Sequence, residues 1–271
     1  MKMNEPLQHR SVRDQVSADE WATRVDVAAA YRLVALYGWH DMIYNHISAR
    51  VPGEEGAFLL NPFGFHYEEI TASSLIKVDV DGRTLFNPNP EYTVNRAGFV
   101  IHSALHAGRP DLGCVIHTHT VAGMAVSNLK CGILPLNQSI LKFPKIAYHA
   151  FEGLAVDLDE RKRLVEDMGD CEVMVLRNHG LLAAGRTVPE AFNNIYRMER
   201  AALVQLQTMA CNTEINLLAP EIIQKVNSQF VVNEFAYNPA TSTDGKAPVM
   251  GVSEWPALLR MLDRRDASYK D

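Results

Sequence analysis

Apolar residues recur at helical spacing through Trp21, Val25, Ala29, Leu33 and Leu36. Ser17-x-x-Glu20 ahead of them reads as a capping box, and Gly38 as the stop. From Met42 to Val51 the pattern changes to alternation, with Ile43, Asn45, Ile47 and Ala49 on one face, which predicts a strand. Phe58–Leu60 and Ile76–Val80 read as further strands, and Asp81-Gly82 has the turn chemistry to reverse the chain into Arg83–Phe86. Val94 to Ala107 is helical in character and ends at Gly108-Arg109-Pro110; Cys114–His119 and Glu172–Leu176 are short apolar strands. Thr187-Val188-Pro189-Glu190 is a second capping box, opening a helix through Ile195, Met198, Ala202, Leu206 and Met209. Alternating helices and strands predict a layered α/β domain over residues 17–212. Residues 1–16 read as a loose arm. Residues 213–271 read as a C-terminal helical extension: a helix near 220–229, a polar loop at 238–247 and an amphipathic Trp255–Leu262 segment.

Composition narrows the class. Of 271 residues, 47% are hydrophobic and 21% charged, which excludes disorder as the dominant state. The net charge of −6 and the absence of a Lys/Arg-rich tract argue against a nucleic-acid partner. No apolar run approaches the roughly 18 residues of a membrane span, and the N-terminus lacks the apolar core of a signal peptide. Cys114, Cys131, Cys171 and Cys211 form no Cys-x-x-Cys, so neither a disulfide framework nor a thiolate zinc site is indicated. The expectation is a reduced, cytoplasmic protein with no membrane partner.

The sharpest chemistry is His117-Thr118-His119 at a predicted strand end, where residues i and i+2 project from one face. A bare His-x-His is a weak motif. Asn178-His179-Gly180, also after an apolar strand, strengthens it, with Gly180 permitting the turn that aims His179 back across the sheet. Three histidines at strand ends match a catalytic site with three protein ligands and an open position, for zinc or manganese; iron and cobalt also suit imidazoles.

Further motifs run in order along the chain: Tyr44-Asn45-His46-Ile47-Ser48-Ala49-Arg50, Pro62-Phe63-Gly64, Ile70-Thr71-Ala72-Ser73-Ser74-Leu75 and Val94-Asn95-Arg96-Ala97-Gly98-Phe99. They continue through His102-Ser103-Ala104, Arg109-Pro110-Asp111, His117-Thr118-His119-Thr120 and Leu176-Arg177-Asn178-His179-Gly180-Leu181. On these motifs the chain resembles the class II aldolase/adducin family, on the adducin-head side more than the sugar-phosphate aldolase side. The resemblance implies a three-layer α/β/α sandwich around a mainly antiparallel central sheet. It also implies a site shared between subunits of a cyclic homotetramer, and one divalent metal per chain on His117, His119 and His179, zinc before manganese, iron or cobalt.

The departures matter as much. In class II aldolases a Ser-Ser-Glu segment eleven residues before Arg-Pro-Asp holds phosphate with its serines and handles a proton with its glutamate. Here it reads Arg96-Ala97-Gly98, and the aldolase Thr-Gly reads Phe63-Gly64. Asn45 and Gly64 remain as substrate- or anion-binding candidates, and Arg96 is a candidate bidentate partner for a carboxylate or phosphate. His102, which shares a helix face with His106, is a candidate general base. Tyr148 or His149 stands at the position of the aldolase tyrosine that donates a proton, and Glu91 is a nearby loop carboxylate.

The resemblance therefore implies a divalent-metal lyase that breaks a C–C bond in a small oxygenated or carboxylated substrate through a metal-stabilised enediolate. Decarboxylation tolerates loss of the glutamate better than retro-aldol cleavage does, so ordinary sugar-phosphate aldolase activity is expected to be weak. The alternative is a non-catalytic, adducin-head-like oligomerisation module with a retained metal site. Membrane-skeleton adducins carry a long tail ending in a lysine-rich segment, and the absence of a basic block before Asp271 favours the lyase.

Overall fold

The computed structural model describes residues 11–153, 159–231, 251 and 253–271. The first long helix, α1 (Ala18–Leu36), is capped by Ser17, whose side chain accepts the Glu20 amide, and it buries Val27, Leu33 and Val34. The Glu20 carboxylate does not close the expected box; it pairs instead with Arg24 and Lys77. Upstream, within the stretch read as a loose arm, Val12–Gln15 form a 3-10 turn capped by Ser11.

Eight strands follow: β1 (His46–Arg50), β2 (Ala57–Leu60), β3 (Ile76–Asp79), β4 (Thr84–Phe86), β5 (Cys114–Thr118), β6 (Ala147–His149), β7 (Val173–Leu176) and β8 (Gly180–Gly185). They form one sheet in the order β4-β3-β2-β1-β5-β8-β7-β6, antiparallel except for β6 beside β7. That parallel pair needs a crossover, and α4 (Glu160–Met168) supplies it. The first strand begins at His46 rather than Met42: Met42 takes φ 47°, which breaks the alternation.

Helices cover both faces. On one, α1, α3 (Val121–Ser127) and α5 (Val188–Ala210) enclose Ile47, Ala49, Ile116, Val175, Leu181 and Ala183. On the other, α2 (Arg96–Gly108) and α4 pack Ile101, Leu105, Leu164 and Met168 against Val115, Met174 and Leu182. The architecture is the expected α/β/α sandwich. Four elements escaped sequence patterning, α3, β6, β8 and α4, and for the last two the reason is clear. β8 is Gly-Leu-Leu-Ala-Ala-Gly, buried on both faces and so without alternation. α4 is mostly charged, with only Leu164 and Met168 as apolar buried residues.

Past residue 212 lie α6 (Pro220–Val231) and α7 (Trp255–Asp263). The last residues are stitched to the body. Trp255 Nε1 donates to Asp26 at 2.8 Å, Tyr269 is fully buried, and Ala72 N–H donates to the Tyr269 carbonyl at 2.9 Å. The polar loop expected at 238–247 lies outside the described residues. Among the described residues no helix is long and apolar enough to cross a membrane.

Candidate metal centre

Three imidazoles meet at one end of the sheet. His117 lies near the end of β5, His119 stands just past Thr118, and His179 sits in the turn between β7 and β8. Their Nε2 atoms are separated by 2.7 Å (His117–His119), 2.9 Å (His119–His179) and 3.3 Å (His117–His179). The three form a group of potential metal ligands.

The turn that brings in His179 differs from expectation. Arg177-Asn178-His179 joins Leu176 to Gly180, which face each other across the hairpin. Asn178, at φ 54°, supplies the left-handed residue, and its side chain donates to Asn128 Oδ1 at 3.1 Å. Asparagine tolerates that conformation because its short amide can bond locally. Gly180 has ordinary backbone; a Cβ there would strike the Thr118 carbonyl, so glycine is needed for close approach rather than for the turn.

The second ring nitrogens fix the first. His117 Nδ1 lies 2.9 Å from the Leu181 carbonyl and His119 Nδ1 3.2 Å from Asp41 Oδ2. Both partners only accept, so each Nδ1 carries the hydrogen and each Nε2 presents a lone pair. Two such lone pairs 2.7 Å apart repel unless a cation lies between them. Tetrahedral ligands with bonds of about 2.0–2.1 Å stand about 3.3 Å apart, so the two closer pairs need only open by about half an ångström to share one ion, and an Asp–His pair behind a ligand is the usual way such a ring is oriented. Burial, reinforced by the neighbouring imidazoles, pushes the His117 ring well below the ordinary histidine range and His179 down to about 4, so these rings rest neutral.

Behind the rings, Glu199 of α5 accepts hydrogen bonds from the hydroxyls of Thr118 and Thr120, clamping the His117–Thr120 segment from the opposite side of the sheet. Burial raises its carboxyl to about 7, partly offset by those two hydroxyls. Thr120 also caps α3 through the Gly123 amide.

The profile of the family described as Class II Aldolase and Adducin N-terminal domain matches residues 25–206, which include all three histidines. The chain belongs to the class II aldolase and adducin family. A Caulobacter vibrioides protein named for the class 2 aldolases is 45% identical over 263 residues, covering 96% of each chain. Alpha-adducin of Rattus norvegicus is 39% identical over 255 residues, covering 92% of this chain but only 34% of the adducin. Among solved structures, an aldolase II superfamily protein from Pseudomonas syringae superposes with a TM-score of 0.87 at 46% identity, covering 97% of this chain and all of that one.

The other positions carried over from the class II aldolase and adducin family are scattered. Asn45 is buried ahead of β1, where its amide accepts from Asp41 N–H at 3.0 Å and donates to the Trp39 carbonyl; it ties the turn that positions Asp41. Gly64 sits at φ 115° against the Tyr92 ring. Arg96 is exposed in the first turn of α2, and Glu91 is exposed in the loop before it. His102 is fully buried, with Nδ1 2.5 Å from Ser48 Oγ, which also meets His106 Nε2 at 2.7 Å. Burial drives both rings to about 3, which leaves His102 a poor base at neutral pH.

Tyr148 and His149 point to opposite faces of β6. The Tyr148 hydroxyl accepts Ile133 N–H at 3.1 Å and its ring stacks under Arg177, whereas His149 lines a narrow cleft that His179, Phe151 and Arg177 also line. His149 Nδ1 is held by Asp167 Oδ2 at 2.7 Å, with Glu160 on its other side. Three residues at the site were not singled out from sequence as site residues: Asp41, Glu199 and His46. Asp41 meets His119, Glu199 meets Thr118 and Thr120, and the His46 ring stacks on His117; Asp41 and Glu199 carry no local motif, and His46 stands in the Tyr44–Arg50 motif without a role of its own there.

Proposed function

We propose that this chain is a divalent-metal-dependent lyase that breaks a carbon–carbon bond beside a carbonyl in a small oxygenated or carboxylated substrate. The observation that carries this reading is the convergence of two fixed Nε2 lone pairs, and that of His179, on one point at the sheet end. His117, His119 and His179 would hold a divalent ion, zinc first and manganese, iron or cobalt as alternatives, which would supply an electrophile for the negative charge left when the bond breaks.

The chain's own groups do the rest. Asp41 and the Leu181 carbonyl orient the rings, and Glu199 anchors their strand from behind. His149, held by Asp167 in the cleft beside His179, is the group placed to pass a proton to the substrate carbon after cleavage; Tyr148 faces away. Residue 98 carries no carboxylate, which supports decarboxylation over aldol chemistry: loss of a general acid/base lowers rates by a factor of about 10² to 10⁴.

Exposed apolar side chains stand close in the chain to the site residues: Met42 and Tyr44 follow Asp41, Val121 follows the His119-Thr120 segment, and the Phe151 ring lies 6.3 Å from that of His179. A second copy of the chain covering them excludes water, in keeping with a homotetramer. Light scattering at micromolar concentration tests this; particles of one chain mass only would reject it.

The functional test supplies metal-loaded protein with small oxo- and hydroxy-carboxylates and measures carbon dioxide release, alongside cleavage of fuculose and rhamnulose 1-phosphates. The expected result is metal-dependent decarboxylation with sugar-phosphate cleavage near background. Ordinary aldolase efficiency on either phosphate would overturn the preference for decarboxylation. The likeness to alpha-adducin favours a second reading, an oligomerisation module with a retained metal site. Under it, metal removal changes the oligomeric state while no substrate is turned over.

A further inference from the structure

β1 begins beside the metal-binding end of β5. His46 and His117 are direct partners across that antiparallel ladder, so their side chains leave the same face of the sheet. The two rings stack, with centroids 6.2 Å apart and planes at 20°, and the His46 ring also meets His102 edge-on at 5.7 Å. His46 is 4% exposed, yet neither Nδ1 nor Nε2 has a hydrogen-bond partner. A whole buried imidazole without partners is costly, and such a group calls for an explanation.

The helix above explains how the ring is accommodated. Gly98 lies in the first turn of α2, and a Cβ built on it falls onto the His46 ring. Glycine at 98 and histidine at 46 are therefore one feature: the imidazole fills the volume that a residue-98 side chain would take.

We propose that His46 is a substrate-contacting residue, its imidazole hydrogen-bonding a carboxylate oxygen of a substrate held at His117, His119 and His179. This rests on the metal-dependent reading above and narrows its substrate class. An imidazole can donate N–H to an anion and never carries negative charge, whereas a carboxylate in the same volume repels one. The pair therefore selects a small oxo- or hydroxy-acid with its carboxylate beside the metal. The N–H nitrogen gains an acceptor when such a ligand, or water in its place, is present; the other nitrogen accepts and is left to a water or a hydroxyl.

The test uses cobalt-loaded full-length protein titrated with oxalate, followed by the visible cobalt absorption, in wild type, His46→Ala and Gly98→Ala. The second variant keeps the imidazole but forces it aside, so the test does not hang on one protein folding. Both variants are expected to retain one cobalt per chain and to bind oxalate about tenfold more weakly, as loss of a charge-assisted hydrogen bond requires. Oxalate affinities within twofold of wild type in the folded variants would overturn the proposal and leave the metal site standing. Cobalt-loaded wild type that fails to bind oxalate would overturn it too. Wild type that takes up no cobalt would overturn the metal-dependent reading and this proposal with it.

Discussion

The two faces of the central sheet are built from the same strands but treat polar groups differently. Under α1, buried polar side chains have dense partnerships. The Tyr31 hydroxyl accepts Ile47 N–H at 2.7 Å and lies 2.8 Å from Asn61 Oδ1, and Arg24 pairs with Glu20 while donating to the Ala72 and Leu75 carbonyls. The exceptions there are single atoms, among them Arg24 Nη2, Tyr67 Oη and the Nδ1 of His40 beside Tyr67. Under α2, His46 lacks partners at both nitrogens, and His102 and His106 at one each. An unsatisfied buried group costs about 1–3 kcal/mol, so a cluster of them is tolerated only where something other than packing is served. The first face holds the fold together; the second opens onto the three clustered histidines.

Variants break or sharpen that contrast. The largest effect is expected from Arg24→Ala, which leaves buried Glu20 with Lys77 as its remaining cation and takes the donor from the Ala72 and Leu75 carbonyls, and should cost about 3 kcal/mol in urea unfolding. A loss below about 1 kcal/mol would mean that this pair is not structural. Asp41→Ala should leave urea stability of the metal-free protein nearly unchanged but weaken zinc affinity by about 10–100-fold, because His119 loses its orienting carboxylate. Unchanged affinity in calorimetric titration would remove Asp41 from the site.

The smallest effect is a pH dependence. Glu199 is raised to about 7 in the folded chain, above its ordinary value of 4.5, so the folded state holds the extra proton between those values. Its contribution to stability is fully present below pH 4.5 and is lost as pH rises through 7, at a slope of about 1 kcal/mol per pH unit. The buried histidines have the opposite sign: with folded values near 3 to 4, their contribution is present above pH 6.5 and lost as pH falls. The difference between wild type and Glu199→Gln isolates the first slope, and parallel stability curves for the two would contradict the assignment.

How much of this was legible in the sequence depended on whether the deciding contacts were local. The caps at Ser17 and Thr187 and the apolar periods behind them marked α1 and α5, although α1 is buried all round over Val27–Tyr31 rather than along one stripe. β8 and α4 carried no such pattern. His-Thr-His and Asn-His-Gly pointed to the three histidines, although Asn178 rather than Gly180 makes the turn. Asp41 lies 78 residues from His119, and Glu199 lies 81 from Thr118; only the folded sheet brings them together. Alternation placed Asn45 on a strand face, whereas the strand starts one residue later and leaves His46 on the face of His117.

Elemental analysis of untagged protein, after incubation with zinc or manganese and removal of excess, tests the central claim most directly. The account requires one divalent metal per 30.3 kDa chain in wild type, lost in His117→Ala and in His179→Ala. A wild-type chain that retains no metal, or variants that retain it as well as wild type, would contradict it.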